Sequence, residues 1–234
     1  MTSFVLLHGA WHGGWCWRRT AEVLRARGHV VTTPTQTGLG ERSHLMSAEI
    51  TLATFCEDLR LHLEFEDLRD VVLVGHSFGG SPISYVAERA PHRVARLVYL
   101  DAVVIFGGET VFSTLPEDVV AARRRQAEET SGGLSLPPPE AEAMGVAAPE
   151  DAAWLERMMT PHPIRTYETR LALDAPPAAG KPASYVVCAE PFYAPLAEAR
   201  ARARSLGWDM PEIAAGHDAM VTAPEALADL LEAR

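Results

Sequence analysis

Two hydrophobic periods alternate along the chain. Short apolar runs at residues 3–7 (SFVLL), 29–33, 71–74 (VVLV), 96–100 and 184–188 have the length and β-branched content of strands, and a shorter one lies near 208–213. The run at 71–74 is apolar at every position, which suits a strand buried on both faces of a parallel sheet. Between these runs the period lengthens. Residues 51–66 place Leu52, Phe55, Leu59 and Leu63 at three- and four-residue steps, the stripe of an amphipathic helix. Further helices are predicted over 17–27, with Gly28 as C-terminal cap, and over 78–89, 195–206 and 224–234. Strand–helix alternation of this kind predicts an α/β fold, an open parallel sheet with helices on both faces.

The alternation stops between about 103 and 177. This stretch is helical and Pro-rich, with Pro137, Pro138 and Pro139 in its middle and Trp154, Met158 and Met159 near its end. No strand period is visible in it. It is expected to be a helical insertion folded over the sheet of a single domain spanning 1–234.

Composition narrows the function classes. Of 234 residues 47% are hydrophobic and 22% charged, as in a soluble globular protein, and no run of eighteen apolar residues predicts a membrane span. A formal charge of −10 opposes binding to nucleic acid or to anionic lipid. Cys16, Cys56 and Cys188 are widely spaced and read as reduced structural thiols. The N-terminus lacks the basic flank and long apolar core of a secretory signal, so a cytoplasmic protein is expected.

The chemistry sits in three turns. Gly75-His76-Ser77-Phe78-Gly79-Gly80 lies between a buried strand and a helix. A strand-to-helix turn tight enough to lift a serine above the sheet crowds its own backbone, and flanking glycines relieve that crowding. Ser77 is therefore the candidate nucleophile. A serine hydroxyl needs a base. Of nine histidines, His29, His44, His62, His92 and His162 read as surface or helix-face residues, and His8 and His12 as residues that shape the first turn. His217, in Ala215-Gly216-His217-Asp218, follows the last strand, where a doubly wound sheet places a loop over the carboxyl ends of its strands. It is the candidate base, while Asp218 beside it reads as a cap or surface residue. Acyl transfer also needs N–H donors where a carbonyl oxygen becomes negative. Phe78 offers one amide, and the turn His8-Gly9-Ala10-Trp11 is placed to offer that of Ala10.

Together Phe4–Trp17 (FVLLHGAWHGGWCW), Val72–Gly80 (VLVGHSFGG) and Gly216–Met220 (GHDAM) resemble the compact α/β-hydrolases, the branch of plant methyl esterases, hydroxynitrile lyases and bacterial esterase relatives. The resemblance implies a small sheet of about six strands and a substrate cap formed by the insertion. It also exposes a departure. The Asp that most of these enzymes carry after the penultimate strand corresponds to Pro191 here. Asp101, at the end of the strand after the nucleophile helix, is favoured as the acid, with Glu190 as the alternative. A carboxylate at that place is costly unless paired, so Asp101 is expected to have a partner.

The reading that follows is a serine esterase acting through an acyl-enzyme on a small or medium apolar or aromatic ester, or on a carbamate. It uses Ser77, His217 and Asp101, with no metal and no cofactor. Trp11, Phe106, Trp154 and Met158 are expected to line the substrate site, and a homodimer is compatible with the chain. Two alternatives stand beside it. A lyase of the hydroxynitrile type would carry Thr and Lys where this chain has Gly9 and Asp218. A low-turnover ligand-binding homologue would not require an intact Ser77 and His217.

Overall fold

The computed structural model describes residues 1–233. Six strands form one sheet: β1 (Ser3–Leu7), β2 (Val30–Thr32), β3 (Val71–His76), β4 (Val94–Leu100), β5 (Ala183–Cys188) and β6 (Glu212–Ile213). Their spatial order is β2-β1-β3-β4-β5-β6 and all pairings are parallel. The chain leaves β1 toward one edge and returns on the other side of β1 to begin β3. Strand order therefore reverses between β1 and β3, and the loops leaving these two strands open a crevice at their carboxyl ends. The register Leu7↔Gly75 ends both strands at the same level, which brings the turn after Leu7 beside the turn holding Ser77.

The helices follow the long hydrophobic period. The longer ones are α1 (Arg18–Ala26), α2 (Leu52–Phe65), α3 (Gly80–Arg89), α4 (Glu117–Ser131), α5 (Pro149–Met158), α6 (Ala197–Ser205) and α7 (Pro224–Glu232), with two single-turn helices at Arg165–Glu168 and Ala219–Thr222. Burying Leu52, Phe55, Leu59 and Leu63 points the predicted stripe of α2 inward, and α2 packs on α3 while α1 packs on α7. Three predicted helices begin instead as tight 3-10 turns, at Gly14–Trp17, Ser77–Gly79 and Ala194–Leu196. A 3-10 turn closes with three residues instead of 3.6, and short pieces of it are common at helix N-termini. The predicted end of the last helix, Arg234, lies outside the described residues.

The stretch between β4 and β5 carries helices as expected, but they are joined by long irregular segments, and it also contains one pair of two-residue antiparallel strands, Ser135–Leu136 with His162–Pro163. Two residues are too few to show a period of two, so the sequence pattern could not announce them. This pair reaches the loop after β1. The indole Nε1 of Trp11 donates to the Leu136 carbonyl at 3.1 Å, and the Thr160 amide donates to the Trp11 carbonyl at 2.9 Å. Among the described residues no helix is long and apolar enough to cross a membrane.

Candidate active site

Ser77 stands at the end of β3 with φ of +53°, a left-handed conformation that costs a non-glycine residue about 1–3 kcal/mol. The tight turn is permitted by its neighbours. A Cβ on Gly75 would lie 2.7 Å from the Gly79 carbonyl oxygen, and a Cβ on Gly9 would lie 2.6 Å from the Ser77 Cβ. The second number is the more telling, because it shows that the loop after β1 touches the serine turn itself. Ser77 is half-buried, and Phe78 is the second residue of its 3-10 turn, where amides have no partner within the helix.

Asp101 ends β4, fully buried, also with a left-handed backbone (φ +39°). Its two oxygens have different partners. Oδ2 accepts the Nδ1–H of His217 at 2.7 Å, and Oδ1 accepts Nη2–H of Arg200 at 2.6 Å. With the hydrogen of the neutral ring on Nδ1, His217 keeps its lone pair on Nε2. Arg200 is 4% exposed, donates from Nη1 to the Tyr193 carbonyl at 2.8 Å, and lies 3.8 Å above the Phe192 ring. The Tyr193 ring in turn stacks on the His217 imidazole, with centroids 4.1 Å apart and planes 18° from parallel. Glu190, the alternative acid, is exposed and its amide donates to Ala215. The carboxylate that holds His217 is Asp101, and the partner its burial demands is Arg200.

The loop after β1 is fixed by three buried histidines, each in a definable protonation state. His8 donates from Nδ1 to the Gly9 carbonyl at 2.8 Å and accepts the Gln36 amide on Nε2 at 3.1 Å, so it is neutral. Burial, with His12 nearby, pushes its pKa down to about 3. His162 accepts the Trp11 amide on Nδ1 at 3.4 Å, while its Nε2 faces Thr166 Oγ1 at 2.8 Å. The Thr166 hydroxyl already donates to Pro163, so His162 must be the donor in that pair. His162 thus corrects the surface reading of that residue: it is fully buried and ties the insertion to the loop.

His12 is the charged member. Its Nδ1 lies 2.7 Å from the Ala10 carbonyl and its Nε2 lies 3.1 Å from Asp218 Oδ2. Both partners are acceptors, so both ring nitrogens carry hydrogen and the ring is an imidazolium. Burial works against this charge, but the Asp218 carboxylate and the Ala10 carbonyl outweigh it and raise the His12 pKa. Burial likewise opposes the Asp218 charge, yet His12 brings the carboxyl down to about 2. Asp218 does occupy the N-cap position of a short helix, Ala219–Thr222, but its side chain makes no capping bond, and it is fully buried rather than at the surface. Holding the Ala10 carbonyl fixes the peptide plane between Ala10 and Trp11, and the position of the whole loop beside Ser77 with it. Trp11 follows with φ of +64°.

Between these parts lies a cavity of about 430 Å³, counted with its open mouth, whose walls include Trp11, Ser77, Phe78, Arg123, Tyr167 and Tyr193. Of the residues expected to line the substrate site, Trp11 borders this cavity. Phe106, Trp154 and Met158 do not. Phe106 lies under Arg202, and Trp154 packs edge-on against Trp15 at 5.1 Å beneath Arg19. Met158 is half-buried at the end of α5. The aromatic walls are instead supplied by Tyr167 and Tyr193, which carried no signal in the sequence. Among the described residues one trio brings metal-ligand types together, His76, His217 and Asp218, with their ligand atoms within 4.8 Å of one another. His76 Nε2 donates to the His217 carbonyl at 3.0 Å and so has no lone pair to offer there.

Comparison with known proteins gives a consistent picture. The family model described as the α/β-hydrolase family matches residues 4–230. A carbendazim hydrolyzing esterase from Nocardioides sp. (strain SG-4G) is 39% identical over 247 aligned residues, covering 100% of this chain and 99% of its own. Methyl jasmonate esterase 1 of Vitis vinifera is 28% identical over 72% of this chain and 64% of its own. Among solved structures, an extracellular α/β-hydrolase from a Paenibacillus species superposes with a TM-score of 0.87 at 26% identity, covering 99% of this chain and 98% of the other.

Two outcomes test this geometry. Asp218→Ala leaves the His12 charge buried and unpaired, which should cost about 3–5 kcal/mol of stability. The Asp218 contribution is complete above the ordinary carboxyl value of 3.8 and lost as pH falls through about 2. That of His12 is complete below 6.5 and lost as pH rises through its raised value. The gap in melting temperature between wild type and Asp218→Ala should therefore be widest between those limits, and an equal gap at all pH values would contradict the ion pair. Gly9→Ala should lower kcat/KM at least about tenfold, because the added carbon must push the loop off the serine turn. Wild-type kinetics in that variant would mean that the loop is not held against Ser77.

Proposed function

The chain belongs to the α/β-hydrolase family, and on that premise we propose that it is a serine esterase that works through an acyl-enzyme on Ser77. Its relatives place it among hydrolases of the carboxylesterase type. The observation that carries the finer reading is the 2.7 Å hydrogen bond from His217 Nδ1 to the buried Asp101, whose second oxygen Arg200 holds. This arrangement fixes the tautomer that a general base requires and leaves Nε2 to take the Ser77 proton.

The reaction runs in two halves. His217 removes the hydroxyl proton as Ser77 Oγ attacks the substrate carbonyl, and the carbonyl oxygen becomes an oxyanion held by the amides of Ala10 and Phe78. His217, now an imidazolium stabilised by Asp101, passes its proton to the departing alcohol. Water enters, His217 removes one of its protons, and collapse of the second tetrahedral species frees the acid and returns the proton to Ser77. Losing one oxyanion donor costs about 2.7–4 kcal/mol of barrier in acyl transfer, and the Gly9–Ala10 peptide that carries the Ala10 N–H is held by the His8 Nδ1–H on the Gly9 carbonyl.

The proposed substrate is a small to medium aromatic methyl ester or methyl carbamate. Two features support that class. The cavity beside Ser77 is walled by Trp11, Phe78, Tyr167 and Tyr193, and aromatic walls favour a flat apolar ligand. A relative that matches along the whole chain is named a carbendazim hydrolyzing esterase. Residues 103–177 act as the cap, contributing Arg123 and Tyr167 to the cavity. The lyase alternative loses ground at position 218, where its lysine would stand, because a buried carboxylate paired with His12 occupies that place.

A fluorophosphonate should label wild type at Ser77 and leave Ser77→Ala unlabelled and inactive on p-nitrophenyl acetate. An unlabelled wild type would overturn the serine reading. Asp101→Asn should lower kcat by about 10³–10⁴ with the fold retained. Near-wild-type turnover in that variant, together with a dead Glu190→Gln, would move the acid to Glu190.

A further inference from the structure

The charges around the cavity are compensated one by one. Asp101 is neutralised by Arg200, and His12 by Asp218. On α4, Arg124 turns outward to Glu168 at 2.9 Å. Arg123, its neighbour, turns inward. It is half-buried, and among the described residues no carboxylate lies within salt-bridge distance of it. Its guanidinium carbon sits 5.8 Å from the centre of the Trp11 ring and 5.7 Å from that of Tyr167. Its charge reaches the site, since it acts on the phenol of Tyr167 and on His162. It lines the Ser77 cavity and also an adjoining one of about 380 Å³ with Gln126, Leu136 and Pro139. A cation left over in a partly dry, aromatic cavity, with a planar fork of donors, matches a carboxylate.

We propose that Arg123 binds a carboxylate carried by the substrate at the end remote from the scissile ester, so that the preferred substrates are half-esters of aromatic dicarboxylic acids. The inference rests on the esterase reading and sharpens its substrate class. Trp11 and Tyr167 flank the guanidinium, and a hydrogen bond to the Tyr167 phenol also holds it, so its remaining N–H groups, which no carboxylate occupies among the described residues, face a ligand. The aryl ring of a half-ester would then lie between Ser77 and Arg123 along the aromatic wall.

The test compares monomethyl terephthalate and monomethyl isophthalate with methyl benzoate, which has the same ester and no second acid. The measured quantity is the ratio of kcat/KM for the half-ester to that for methyl benzoate, which cancels any general loss of activity. Wild type should prefer at least one half-ester by about tenfold or more, as one charge-assisted contact would give. Arg123→Gln should abolish that preference, Arg123→Lys should keep part of it, and raising salt from about 0.02 to 0.5 M should reduce it. A wild-type ratio at or below one, or the same ratio in Arg123→Gln, would overturn the proposal. Inhibition of p-nitrophenyl acetate hydrolysis gives an independent reading: benzoate should outcompete benzyl alcohol in wild type and not in Arg123→Gln, and equal inhibition by the two in wild type counts against it. Failure of the underlying esterase reading is recognisable separately, as the absence of fluorophosphonate labelling at Ser77.

Discussion

A carboxylate at the end of a buried strand has to be neutralised where it stands, because no water reaches it. Asp101 meets that requirement with one partner on each oxygen, the imidazole of His217 and the guanidinium of Arg200. The same contacts organise the rest of the site. Arg200 reaches on to the Tyr193 carbonyl, Tyr193 lays its ring on His217, and the His217 carbonyl accepts from His76 beside the nucleophile. Removing the carboxylate would therefore release a buried arginine and the orientation of the base together.

Among the described residues seven non-glycine residues have positive φ, and three of them stand on the rim of this site. Trp11, Ser77 and Asp101 are non-glycine residues with positive φ, and they follow β1, β3 and β4, three adjacent strands. Such conformations persist only when their surroundings over-determine them. The surroundings here are specific: Trp11 is tied by its amide, carbonyl and indole to the insertion, Ser77 by its carbonyl to Val103, and Asp101 by its amide to Val186. Parallel strands ending at one level, with the order reversing between β1 and β3, bring these tied residues onto one rim.

The fold was legible in the sequence because β1, β3, β4 and β5 are short, largely apolar runs and α2 has an apolar stripe, and both periods survive without tertiary information. The serine turn was legible for a different reason, since its glycines are forced by contacts within a few residues of Ser77. Asp101 could be reached by chemistry, as a strand-end carboxylate in need of a partner. That partner could not. Arg200 sits in AEARARARS with Arg202 and Arg204, and only packing shows which arginine turns inward. Trp154, Phe106 and Met158 failed for the same reason, because an apolar side chain in the insertion can face the cavity or another part of the surface with equal composition. His12 and Asp218 stand 206 residues apart in the chain, and neither marks the other in any local pattern.

The three cysteines add a consequence for how this protein will behave at the bench. Cys16, Cys56 and Cys188 are all buried, and burial raises the pKa of each thiol. Cys188 lies within the heart of the site, its Sγ 3.8 Å from the His217 carbonyl, yet it is a protonated sulfur packed in the interior and no nucleophile. Alkylating or mercurial reagents that silence the protein would thus be reporting how often its interior breathes open, and the rate at which Cys188 in particular is modified would serve as a clock for local unfolding around the base.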